Sequence, residues 1–70
     1  MSKILTKREK QIFNLLLKNK NTKEISNMFN ISEKTVRNHI SNVIQKLSVN
    51  SRATAVVELI KLKEIDIYNE

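Results

Sequence analysis

TKEISNMFNISEKTVRNHIS, residues 22 to 41, reads as a short helix, a tight turn and the start of a longer helix. Ile25, Met28 and Phe29 fall at helical spacing and are expected to point inward, and Asn30 breaks the run. Ile31 fills the turn. Ser32 is placed to cap the next helix, and Glu33 in its first turn favours the positive end of the helix dipole. A short helix, a turn with one buried apolar residue and a longer crossing helix are the parts of a DNA-binding helix-turn-helix. Ile25, Phe29, Ile31 and Val36 take the buried places that fix the crossing angle, which leaves the far face of the longer helix free.

That longer helix is expected from about Glu33 to Leu47. Val36, Ile40, Val43 and Leu47 recur at intervals of four, three and four, a single core-facing stripe. Opposite the stripe stand Lys34, Asn38, Ser41 and Gln45, with Arg37 and Asn42 on the flanks. This outer face offers donors and acceptors and holds no acid. Arginine matches guanine, and asparagine or glutamine matches adenine, by paired hydrogen bonds to base edges. Taken alone, the face fits an ordinary solvated surface equally well; behind a helix and a tight turn it points to readout of the major groove. His39 lies at the edge between stripe and face, near Thr35 and Lys46. A metal site needs several convergent ligands, and none accompany it, so a packed or phosphate-facing histidine is expected and no metal or cofactor. No Ser/His/acid set or carboxylate pair suggests catalysis, so the chain is not read as an enzyme.

Outward from this core the chain contains neither glycine nor proline. Hairpins favour glycine strongly, so helices joined by short Asn, Ser and Thr breaks are expected throughout. Thr6-Lys7-Arg8-Glu9 forms a capping box that opens a first helix, with Ile12, Phe13, Leu15, Leu16 and Leu17 as its broad buried face and a stop near Asn19. Asn21 or Thr22 caps the second helix. A break at residues 48–51 follows the third, with Ser51 as the cap of a fourth helix over 52–63. The fold class is therefore all-α: one four-helix domain over residues 1–70, with the helix-turn-helix at 22–41.

Seventy residues support one domain with a marginal core. Without cysteine, and with a single histidine, neither a disulfide nor a metal can reinforce it, and self-association is the expected support. Thirteen Lys and Arg against seven Asp and Glu give a net charge of +6. Residues 1–50 carry ten bases and three acids, and residues 51–70 carry three and four. A basic body beside a neutral tail implies a polyanion-facing part and a part with another task, although many small proteins are basic for solubility alone. No apolar run exceeds three residues, so neither a signal peptide nor a membrane span is expected. The expected location is the cytoplasm, at the nucleoid.

Several blocks of the chain agree with one family. Leu5-Thr6-Lys7-Arg8-Glu9, Lys23-Glu24-Ile25, Ile31-Ser32-Glu33-Lys34-Thr35-Val36-Arg37-Asn38-His39, Gln45-Lys46-Leu47 and Arg52 to Ala55 resemble the LuxR-type, or response-regulator effector, helix-turn-helix family. The match runs from Leu5 to about Leu62 and leaves no room in the seventy residues for a receiver or ligand-binding domain, so a stand-alone effector is expected. The resemblance implies a four-helix domain whose third helix reads the major groove of double-stranded DNA, whose fourth helix dimerises, and which regulates transcription with RNA polymerase as a further partner. By matching position it implies base or nearby contacts at Lys34, Arg37, Asn38 and Ser41, and phosphate contacts at Thr22, Lys23, Thr35 and Lys46. Asn19 and Ser48 stand where glycine is common in the family, and Ser26 where alanine is.

The fourth helix has its own signature. Ala55, Leu59 and Leu62 share one arc, and Ala53, Val56, Val57 and Ile60 the next. Together they span roughly 220°, about twice the stripe needed to pack on one core. One arc is left over for an interface, and Val56, Leu59, Ile60 and Leu62 are the expected dimer contacts. Two other readings use the same features: a module that captures another regulator through the fourth helix, and a basic peptide on a membrane surface. The second needs a cationic face beside an exposed apolar one, whereas these helices carry separate caps and complementary stripes.

Overall fold

A computed structural model describes residues 4–65; the outermost residues of the expected 1–70 domain, 1–3 and 66–70, lie outside the described residues. Four helices follow one another: α1 (Lys7–Leu17), α2 (Thr22–Phe29), α3 (Glu33–Leu47) and α4 (Arg52–Lys61). Each begins where a side chain can satisfy the free amides of a first turn. Thr6 and Glu9 close a reciprocal capping box on α1, and Asn21 and Glu24 do the same on α2. Asn21, rather than Thr22, takes the cap. Ser32 accepts from the Thr35 amide and Ser51 from the Thr54 amide, so α3 and α4 start at the expected caps.

The helix ends share one device. Asn19, Asn30, Ser48 and Lys63 all hold positive φ, from 56° to 69°. Just after each, the next amide turns back onto a carbonyl of the last turn: Lys20 onto Leu15, Ile31 onto Ser26, Val49 onto Ile44 and Glu64 onto Leu59. These closures satisfy carbonyls that a helix end would otherwise leave open. Glycine usually takes this place; here four residues with side chains do. The last closure ends α4 at Lys61, two residues short of the expected 63.

α3 is the hub and packs against each of the other three helices. Its stripe is as expected, with Val36, Ile40 and Val43 buried and Leu47 packed at the edge. Ile12 and Phe13 of α1, Ile25 of α2, and Ala55 and Leu59 of α4 complete the core, and Leu5 and Ile65 close it from either end of the described chain. Burial of each large apolar side chain contributes about 1.5–3 kcal/mol. Arg8 stacks 4.1 Å from the Phe29 ring centroid and ties α1 to α2.

Two apolar assignments differ from expectation. Met28 is 56% exposed. The inward arc of α2 is Ile25, Ser26 and Phe29, and Met28 lies to its side. Ser26 is buried with its hydroxyl satisfied, donating to the Lys23 carbonyl at 2.8 Å. Leu59 was expected at a dimer interface but is fully buried beside Ala55 in the core. That arc of α4 is the one α3 covers. Val57, Ile60 and Leu62 stay exposed. Leu62 shares the angular arc of Leu59 but falls just past the helix, where the chain turns away.

Candidate nucleic-acid interface

The outward side of α3 is built by subtraction. With Val36, Ile40 and Val43 in the core, Lys34, Arg37, Asn38 and Ser41 all emerge exposed. Seven residues of helix separate Lys34 from Ser41, about 10 Å of rise, close to the roughly 12 Å width of a major groove. α2 crosses behind this face and brings Lys23, exposed, and Thr22, half-buried, alongside its start. Thr35 is exposed in the first turn of α3, its hydroxyl 3.0 Å from that of Ser32. The fold therefore gathers seven of the eight anticipated contact residues, all but Lys46, around the first half of α3.

Glu33 ties this end together. Its Oε1 accepts from the Thr22 hydroxyl at 3.3 Å and from Arg37 Nη1 at 3.4 Å. The Arg37–Glu33 pair is one helical turn long and solvent-exposed, so its energetic weight is small. Its consequence is geometric. The guanidinium leans toward the start of α3, and the Thr22 hydroxyl is already engaged.

Lys46 has a different position from the one expected. Its ammonium donates to the carboxylate of Glu9 and, at 3.2 Å, to the Ile4 carbonyl. Glu9 is almost fully buried, while Lys46 is about a third exposed. Burial alone would push the Glu9 carboxyl up. The hydrogen bonds from Lys46 and from the Thr6 amide, with the charges of Lys46 and His39, outweigh it and hold the carboxyl below its usual range. Lys46 therefore fastens the far half of α3 to the start of α1, an engagement the sequence reading did not anticipate. Nothing in the sequence pairs two residues 37 apart, and only the fold brings them together.

On the flank of α3 facing α4, a notch of about 220 Å³ is lined by Arg37, Ile40, Ser41, Ile44 and Arg52. Arg52 is the first residue of α4 and the only member of that notch not contributed by α3. Apart from the family resemblance, nothing in the residue pattern marks it for a role of its own.

A recognition helix with an exposed, acid-free outer face, behind a capped helix and tight turn, defines the helix-turn-helix class of DNA-binding domain. Comparison with known proteins narrows the class. The family model GerE, "Bacterial regulatory proteins, luxR family", matches residues 3–59. The spore germination protein GerE of Bacillus subtilis is 56% identical over 64 residues, covering 91% of this chain and 86% of that protein. The transcriptional regulatory protein DegU of Brevibacillus brevis is 48% identical over 58 residues, covering 83% of this chain but 25% of its own. The solved structure of the transcription factor GerE superposes with a TM-score of 0.91 at 53% identity, covering 94% of this chain and 98% of that one.

The chain belongs to the luxR family of bacterial regulatory proteins. It is a DNA-binding transcription regulator of the GerE/LuxR type. No helix among the described residues is long and apolar enough to cross a membrane.

Proposed function

We propose that this chain is a sequence-specific regulator that reads inverted-repeat duplex sites as a homodimer. The carrying observation is the exposed face of α3, with Lys34, Arg37, Asn38 and Ser41 outward and no acid among them. In this reading those four residues meet base edges or their neighbourhood, with Arg37 the main reader. Thr22, Lys23 and Thr35 meet phosphates. Phosphate contacts set position, and base contacts set sequence preference.

The second copy docks through the free arc of α4. Val57, Ile60 and Leu62 are exposed and Val56 is half-buried, and a groove of about 470 Å³ between α1 and α4 runs beside them, lined by Leu16, Leu17, Lys20, Arg52 and Val56 among others. RNA polymerase is the further partner of such a regulator, and the bacterial nucleoid is its location. Similarity to a spore germination protein supports a role in sporulation.

Selection from a random duplex pool followed by gel shift tests this reading. An enriched motif with two-fold symmetry is the expected result. Affinity should also fall with salt, at a slope of about −0.9 per neutralised phosphate, and steeper than about −4 for two subunits. A pool that yields no motif, or an affinity indifferent to salt, overturns it.

A further inference from the structure

We propose that Arg52 binds a backbone phosphate of the DNA on the α4 side of the recognition helix, a contact that rests on the reading above. A helix with its side chains is about 10–12 Å across and fills a major groove of roughly 12 Å. Residues beside the base-reading face therefore meet the two phosphate walls. Thr22 and Lys23 come from α2, and Thr35 from the first turn of α3. With Lys46 drawn to Glu9, none of the anticipated phosphate contacts comes from the α4 side.

Arg52 stands on the α4 side, as the first residue of that helix. It is exposed and reaches α3 from the neighbouring helix, sharing a notch with Arg37 and Ser41 over a floor of Ile40 and Ile44. No acid lines the notch. The ion pairs among the described residues join Arg37 to Glu33 and Lys46 to Glu9, so neither engages Arg52. The first turn of α4 contains no acid either, whereas α1, α2 and α3 carry Glu9, Glu24 and Glu33 there. A guanidinium beside two groove-facing residues, with no carboxylate to hold it, is suited to a phosphate oxygen pair, which its planar fork engages in two parallel hydrogen bonds.

The test compares wild type, Arg52→Gln, Arg52→Lys and Lys61→Gln on a selected and a random duplex across a fourfold range of salt. Lys61 lies in the last turn of α4 and controls for the loss of one charge. Arg52→Gln should weaken both duplexes by the same factor. It should also flatten the salt response by about 3.5-fold per lost contact over that range. Arg52→Lys should restore the slope, and Lys61→Gln should leave it near wild type. Methylphosphonate substitution, one phosphate at a time, gives an independent readout. One neutralised position should weaken wild type and leave Arg52→Gln unaffected.

An unchanged slope in Arg52→Gln, a loss confined to the selected duplex, or a loss matched by Lys61→Gln overturns the contact while wild-type binding stands. Failure of wild type to bind with salt dependence overturns the proposed function itself. Sedimentation of each variant bound to DNA separates a lost phosphate contact from a lost dimer, and a variant that only dissociates the dimer overturns the assignment.

Discussion

Ser48 and Lys63 hold left-handed backbones at φ 56° and 61° with side chains that disfavour them. For most residues that conformation costs roughly 1–2 kcal/mol, and asparagine, as at Asn19 and Asn30, bears it better. Ser48→Gly should therefore stabilise the domain by about 0.5–1 kcal/mol after the greater entropy of glycine in the unfolded chain is subtracted. Thermal denaturation should show a rise of a few degrees; no rise would mean that the Ser48 side chain has an offsetting contact. The Glu9–Lys46 pair gives a pH-dependent case. The carboxyl titrates lower in the folded chain than in the unfolded one, so the pair's stabilisation is complete above the ordinary carboxylate range and is lost as pH falls through the lower folded value. Glu9→Gln should cost about 1–3 kcal/mol at neutral pH, and its Tm should converge on that of wild type in acid. A gap independent of pH would show that shape, not charge, sets the role of Glu9. Lys46→Ala, by the same geometry, should lower Tm and leave the salt slope of DNA binding nearly unchanged.

At the scale of the element, what was legible in the sequence divides by range. Caps are local chemistry between residues three apart, and Thr6 with Glu9 and Ser32 with Thr35 were readable for that reason. The stripe of α3 was readable because fifteen residues carry a period clearly. The eight residues of α2 do not, and Met28 was misplaced. In α4 both apolar arcs had equal claim to the core, and packing on α3 chose the one with Ala55 and Leu59. The Lys46–Glu9 pair and the burial of Leu5 and Ile65 depend on contacts across the fold and had no local signal. The outer face of α3 was readable, as the complement of a readable stripe, and the i,i+4 tether of Arg37 to Glu33 sits at its edge. That tether bears on readout. Arg37→Ala should cost about 1–3 kcal/mol on the selected site and relax preference at one base pair. Glu33→Gln removes an acid from the phosphate side and frees the guanidinium, so it should raise affinity for random duplex more than for the selected one. Equal effects on both duplexes, measured by gel shift, would make Arg37 a phosphate contact instead of a reader.

At the scale of the molecule, the question is how a four-helix domain with a small core presents two reading heads at a fixed spacing. α4 has ten residues and is about 15 Å long, so its free arc alone is too small for the roughly 800 Å² per partner of a typical stable interface. The adjoining groove, with Leu16 and Leu17 on its wall, enlarges the apolar surface. An interface of that size is expected to associate weakly in solution and to be completed on DNA, where two bound subunits are already neighbours. Val57 tests it best, being 52% exposed and outside the core. Val57→Lys should keep the helical content and Tm of wild type yet abolish cooperative binding of two subunits to an inverted repeat. Leu59→Lys, in contrast, should unfold the domain, because it buries a charge among Phe13, Val43 and Ala55 in the same core cluster. Half-sites should lie about 10 base pairs apart, or a multiple of that, so that both α3 helices enter the same side of the duplex. Sedimentation on the selected duplex provides the measurement. Two wild-type subunits per site and one of Val57→Lys is the expected result, and a single wild-type subunit per site would end the case for a dimer.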